Sequence, residues 1–176
     1  MTKPISKLIN YKEFLKKSEK PAVRANIWKW RDVEQKLAEV AKEDPLAPGR
    51  WAVSLVHEDT GKSVGVCPGL NMLVQVFEPG KHAKRHRHSN FAIFIVRQGT
   101  GYSIIDGEKI EWEAGDVFFA PPWAQHEHCN TSKTEQAVLY TVQDVPTVTD
   151  MGVWFFQGSE GTGFQHRASS HDGDSA

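Results

Sequence analysis

His86 and His88 stand two residues apart in the run KHAKRHRHSNFAIFIVRQG, and His126 and His128 repeat that spacing in GDVFFAPPWAQHEHCN. Residues two apart on a strand point to the same face. A pair of imidazoles on one strand and a third on a neighbour can therefore take three adjacent positions around one metal ion. A metal held by three protein ligands keeps positions open, and open positions are where metal chemistry occurs. Imidazole suits iron, zinc, copper or nickel, so the ligand type alone does not name the metal. The competing reading is a metal-free β-protein with surface histidines.

The elements that must position these residues read as strands. Trp51–His57, Asn71–Phe77, Phe91–Val96, Gly101–Ile105, Lys109–Trp112, Val117–Ala120, Gln136–Val142 and Gly152–Phe156 are short apolar runs separated by turn residues. Asp106-Gly107 between two of them is a hairpin signal. Strands at this spacing indicate a sandwich or barrel. Upstream, Tyr11–Lys17 carries Tyr11, Phe14 and Leu15 at helical spacing. Asp32 is expected to cap a second helix running to about Lys42, with Val33, Leu37, Val40 and Ala41 on one face. Trp28 and Trp30 lie on an extended arm, expected to pack on the barrel or on a second subunit. The organisation expected is an N-terminal helical arm over 1–50, a barrel over 51–157 and a flexible, apolar-poor tail over 158–176. His166 and His171 fall in that tail and are discounted as ligands.

A net charge of −1 and a pI near 6.7 give no reason to expect a nucleic-acid partner. Cys67 and Cys129 form no CxxC and read as reduced thiols. Met1–Lys20 is lysine-rich and lacks an apolar signal core, and no run is long and apolar enough to span a membrane. The expectation is a cytoplasmic protein.

The two clusters have a fixed internal spacing. Gly80, His86, His88, Ala92 and Gly99 form the first, and Gly115, Pro121, Trp123, His126 and Asn130 the second. This resembles the two cupin motifs, with Ala92 where many cupins carry a metal-binding Glu and Trp123 where many carry Gly. The run looks very like the N-terminal cupin of gentisate 1,2-dioxygenase and its salicylate and 1-hydroxy-2-naphthoate relatives. The likeness reaches from Ile27–Trp30 to Asp144-Val145-Pro146. It implies an all-β single cupin, a double-stranded β-helix or jelly-roll barrel, with an N-terminal helical extension. It implies His86, His88 and His126 as ligands, with Fe(II) as the metal and Zn, Ni, Mn or Cu as alternatives. The activity implied is O2-dependent cleavage of a C–C bond in a hydroxylated, gentisate- or salicylate-like aromatic compound. Cleavage of a diketone or hydroxy-ketone, or a non-oxidative role as isomerase, lyase or small-molecule binder, are the alternatives.

The resemblance also assigns roles nearby. His128 becomes an acid–base or hydrogen-bonding group, with a fourth ligand as the alternative. Gln75, polar within an apolar strand, needs a partner, and the resemblance makes it a substrate contact that orients substrate or helps move a proton. Arg50 resembles an arginine near the substrate. Phe94, expected on one continuous strand with His86 and His88, stands where the gentisate-type enzymes have a carboxylate-binding Arg. The substrate is then less acidic, or its carboxylate is held elsewhere, for example by Arg50. Trp123, with Trp112, Phe118 and Phe119, could wall an aromatic pocket, although each taken alone is more often core. The basic residues Lys81, His82, Lys84 and Arg85 read as a solvated loop. Gentisate dioxygenases generally carry two cupin units and this chain carries one, so a homodimer or higher homo-oligomer is expected.

Overall fold

The computed structural model describes residues 6–20, 22–61 and 64–159, and the backbone alone of 165–166. Period-2 alternation builds its centre. Two helices, α1 (Tyr11–Ser18) and α2 (Trp30–Glu43), precede β1 (Arg50–Leu55), β2 (Asn71–Phe77), β3 (His82–His88), β4 (Ala92–Gln98) and β5 (Thr100–Ile105). There follow β6 (Glu108–Glu113), β7 (Val117–Ala120), β8 (His126–Asn130), β9 (Ala137–Gln143), α3 (Val145–Asp150), β10 (Phe155–Gly158) and β11 (Gln165–His166). One sheet has the order β1-β2-β9-β4-β7 and the other β11-β10-β3-β8-β5-β6. Neighbouring strands are antiparallel throughout. The expected all-β, two-sheet architecture with helices in front is therefore what forms.

Each strand of the first sheet divides its residues between two environments. On β2, Val74 and Val76 face outward and pack with Val33 and Leu37 of α2. Leu139, Phe77 and Phe94 point the other way, into the core between the sheets. Leu139 is fully buried there. Leu139→Ala is expected to cost about 2–5 kcal/mol, through lost transfer energy and a cavity that two hydrogen-bonded sheets cannot close. Denaturant unfolding would show it as a lower midpoint at unchanged slope.

The turn signals form as expected. Asp106 (φ 46°) and Gly107 (φ 90°) are both left-handed, as the β5–β6 hairpin requires. The arm tryptophans pack on the barrel: Trp28 donates to the Val56 carbonyl at 3.3 Å, and Trp30 lies beneath the Arg97 guanidinium at 3.7 Å. α1 buries none of its residues, so Tyr11 and Phe14 stack on each other instead of on the barrel.

Three expectations need correction. Asp32 is not the cap of α2: Lys29 occupies that position without a side-chain bond, and Asp32 sits in the first turn, bonded to Arg31 at 2.8 Å. A carboxylate in that turn still favours the positive end of the helix. The basic run at 82–88 is not a loop but β3, because its backbone pairs with β8 on one side and β10 on the other. Finally, His88 and Phe94 do not share one strand. The chain crosses from one sheet to the other at Ser89–Phe91, where Phe91 N–H is held by Asp144 at 2.9 Å and the Asn90 side chain accepts from Trp154 at 2.9 Å. The expected flexible tail lies almost wholly outside the described residues, as does the His171 side chain; of His166 only the backbone, in β11, is described.

Candidate metal centre

His86 and His126 are directly opposite each other on β3 and β8, and His88 is two residues along β3. Their ring centroids lie 4.4 Å (His86–His126), 4.7 Å (His88–His126) and 5.7 Å (His86–His88) apart. One nitrogen from each falls within 4.8 Å of the others. Simple alternation would not place Ala83, His86 and His88 on one face. A register shift between Ala83 and His86 does so, by inserting an extra residue against β8. Such a bulge re-aims the side chains beyond it.

The rings are also fixed in rotation. His86 Nδ1 bonds the Lys84 carbonyl at 2.7 Å, His88 Nδ1 the Asn90 carbonyl at 2.8 Å, and His126 Nδ1 the Ala124 carbonyl at 2.8 Å. A carbonyl oxygen only accepts, so each Nδ1 carries the proton and each Nε2 keeps a bare lone pair. Backbone orientation of this kind is the usual support for metal-binding histidines. His126 Nε2 is buried without a hydrogen-bond partner. An orphaned acceptor beside two further bare imidazole nitrogens fits a metal ion, and nothing else in the site would satisfy all three. The donor set suits a transition metal rather than calcium or magnesium.

The environment keeps these ligands neutral. Burial pushes His86 down to about 4 and His126 to about 3, with the adjoining rings adding repulsion. Burial likewise lowers His88, and lowers His128 strongly. An unfolded histidine takes its proton near 6.5, whereas the folded ones resist until far lower. Between those values the unfolded chain binds more protons, so folding stability is present above about pH 6.5 and is lost as pH falls through about 4. The metal-free protein should therefore hold a flat Tm above neutrality and lose it on acidification. The slope should be shallower in His126→Gln, which a pH series of thermal melts would reveal.

The opposite wall comes from the first sheet. A cavity of about 250 Å³ is lined by the three histidines and His128 on one side and by Arg50, Gln75, Phe94 and Thr141 on the other. Phe94 thus reaches the pocket from the sheet facing the histidines, its ring 4.4 Å from that of His128 and stacked on Phe118 at 4.7 Å. Gln75 donates to Thr141 at 2.8 Å and accepts from Arg50 at 3.3 Å, which answers where its polar groups go. Arg50 is held over the Phe77 ring at 5.4 Å, forms no ion pair with any described residue, and has a buried Nε without a partner. Burial lowers its pKa.

His128 shares the inward face of β8 with His126 but is not in the metal-competent group of three. Trp123 does not line this cavity. Its φ of 66° explains why glycine suits the position, its N–H bonds the His88 carbonyl at 2.8 Å, and its ring lies 4.5 Å from Arg87. Phe118 is buried, whereas Phe119 is half exposed on the outer face, so it does not wall the pocket. A wider cavity of about 890 Å³ adjoins at Arg50 and His86, with Lys81, His82, Lys84 and Arg85 on its rim. Ser103 was not among the residues singled out by sequence. It is buried and bonds His128 at 2.7 Å. The available signal was a hydroxyl on the inward parity of a strand between Gly101 and Ile105, the same signal that marked Gln75.

A family model described as Cupin domain matches residues 73–143. Among curated proteins, the 5-nitrosalicylic acid 1,2-dioxygenase of a Bradyrhizobium sp is 29% identical over 96% of this chain and 84% of its own length. A gentisate 1,2-dioxygenase of a Streptomyces sp is 30% identical over 80% of this chain, which spans 40% of that protein. The salicylate 1,2-dioxygenase of Pseudaminobacter salicylatoxidans superposes with a TM-score of 0.67 at 23% identity, over 74% of this chain and 38% of that structure. At that identity the superposition establishes the fold.

Proposed function

We propose that this chain, whose residues 73–143 match the Cupin domain family, is a cupin and a three-histidine metal dioxygenase acting on a hydroxylated aromatic acid. The observation that carries this reading is the set of three bare Nε2 atoms, one of them buried and orphaned, facing a partly buried arginine across one small cavity. The similarity to dioxygenases of nitrosalicylate and gentisate supports the same class. His86, His88 and His126 hold the metal, which we assign as Fe(II). Bound there, it supplies the activation of O2 that cleavage of an aromatic C–C bond requires.

The residues of the chain do the rest. Arg50 binds the carboxylate: a partly buried guanidinium with a buried, unpartnered Nε and no acidic partner among the described residues is stabilised by an anion, and its planar fork suits a carboxylate. Gln75 holds Arg50 in place through its Oε1 and is itself anchored by Thr141. It is a positioning residue, since an amide has no proton to move at neutral pH. Phe94, with Phe118 stacked against it, gives the pocket an apolar wall against the ring and excludes water. His128 offers a hydrogen bond to a substrate oxygen. The expectation of a neutral substrate, drawn from Phe94, gives way here to the alternative in which Arg50 holds the acid. We further read the organisation as a helical arm before a single barrel, assembled as a homodimer or a multiple of it, with the uncovered apolar residues of α1 among those needing cover.

The test is anaerobic loading with Fe(II), followed by oxygen-electrode measurements with 5-substituted salicylates, gentisate, catechols and diketones. The expected result is uptake of one O2 per aromatic acid, loss of aromatic absorbance, and both oxygen atoms recovered in the product. Iron-loaded protein that consumes no oxygen with any of these compounds would sink the dioxygenase reading in favour of a non-oxidative cupin.

A further inference from the structure

Four histidines line the cavity, and their hydrogen bonds divide them into two kinds. In His86, His88 and His126 the Nδ1 partner is a backbone carbonyl. In His128 the Nδ1 partner is the hydroxyl of Ser103, at 2.7 Å. That hydroxyl has a second neighbour, Trp112 Nε1, at 3.0 Å. An indole N–H can only donate, so the Ser103 oxygen accepts from Trp112 and its own proton must find an acceptor. Ser103 is 0% exposed, which excludes bulk water, and the acceptor in reach is His128 Nδ1. Protonation of Nδ1 would leave a buried hydroxyl proton without a partner, which the fold disfavours.

We propose that the Trp112–Ser103–His128 chain locks His128 in the tautomer opposite to that of the three clustered histidines, making it a hydrogen-bond donor to the cavity rather than a fourth ligand. With Nδ1 bare, the ring proton resides on Nε2. A protonated Nε2 has no lone pair for a metal, whereas it can donate to a phenolic, carboxylate or nitro oxygen. Ser103 and Trp112 are thus positioning residues that act through His128.

The fold builds this chain deliberately. Ser103 and His128 are direct cross-strand partners on β5 and β8, which fixes the hydroxyl opposite the ring. Trp112 is paired with Gly101 across β5 and β6. A Cβ at Gly101 would clash with the Cys129 carbonyl and with the Trp112 ring, so the glycine makes room both for the neighbouring strand and for the indole that fixes the hydroxyl. Trp112 also stacks on Phe118, which holds its N–H in direction.

The inference deepens the proposed function by giving His128 a single role, but its test needs no turnover, so the two can fail separately. Full-length protein with ring-15N-labelled histidine is studied by long-range 1H–15N correlation at neutral pH, metal-stripped and then loaded with Zn2+ as a diamagnetic probe. The expected spectrum of the stripped wild type has the proton on Nδ1 in His86, His88 and His126 and on Nε2 in His128; His57, outside the cavity, also carries its proton on Nε2, toward the Arg24 carbonyl, and His57→Gln removes its signal to complete the assignment. Zinc should shift Nε2 of the three and leave that of His128 protonated. Ser103→Ala should release His128 into a mixture of tautomers, and Trp112→Phe should do so partly, by freeing the hydroxyl to rotate. A wild-type His128 protonated at Nδ1, or bound to zinc through Nε2, overturns the proposal. So does a folded Ser103→Ala that keeps His128 wholly in the Nε2–H form. The wild-type spectra decide the matter even where a variant fails to fold.

Discussion

Replacing any one of His86, His88 or His126 by alanine is expected to abolish stoichiometric metal binding, while His128→Ala retains it. The three carry their Nε2 lone pairs into one spot, and no carboxylate among the described residues lines the cavity to substitute, Ala92 occupying the position where many cupins place a glutamate. Two remaining imidazoles are a poor chelate, so occupancy at micromolar metal should fall from about one equivalent to near zero rather than by a modest factor. His126→Ala also tests the empty protein. It removes a buried acceptor that has no partner, so the metal-free variant should be no less stable than the metal-free wild type beyond the cost of the lost ring volume. Metal analysis after anaerobic loading and desalting checks the first point, and thermal melts with and without metal check the second. Retention of full metal by His126→Ala, with loss in His128→Ala, would place the ligand set one alternation away from where the geometry puts it.

Arg50→Met is the second large effect. The guanidinium lies over Phe77 with its Nε buried, is held by Gln75, and is unpaired by any acid among the described residues. A charge-assisted hydrogen bond contributes roughly 1.5–3 kcal/mol, which is on the order of tenfold to a hundredfold in affinity. Arg50→Met should lower kcat/KM for a hydroxylated aromatic acid by at least that factor, with a much smaller change for the matched phenol lacking the carboxylate. Phe94 offers a complementary arm of the same experiment. Its ring lies beside His128 on the wall facing the metal histidines, so Phe94→Arg brings a second cation into the pocket and should restore part of the preference for acids in the Arg50→Met background. Unchanged acid-to-phenol ratios in Arg50→Met would remove Arg50 from the substrate site. Unchanged ratios in the double variant would show that Phe94 does not select.

Much of this protein could be read without coordinates. The two histidine pairs, the turn residues and the apolar runs were enough for a two-sheet β fold with a metal-competent trio, because alternation and turn chemistry are local properties of the chain. Two whole strands, Asn71–Phe77 and Val117–Ala120, were bounded to the residue. Gln75 announced itself by polarity in an apolar strand, and its partners are indeed polar.

What the sequence by itself determined, then, is which residues share a strand face and which types could bind a metal. The tertiary structure decided how faces from distant strands meet. Parity counted from His88 put Phe94 in the pocket but on the wrong wall, since the crossing at Ser89–Phe91 depends on Asp144 and Trp154, more than fifty residues away in sequence. Parity alone could not foresee the bulge between Ala83 and His86, because a bulge is defined against the partner strand β8. Nor could it show that Arg50 would be partly buried with no acid beside it among the described residues, or that Ser103 would find itself between an indole and an imidazole. Those are properties of long-range pairing, in which a hydrogen-bond donor acquires its meaning only from the acceptor that another part of the chain brings to it.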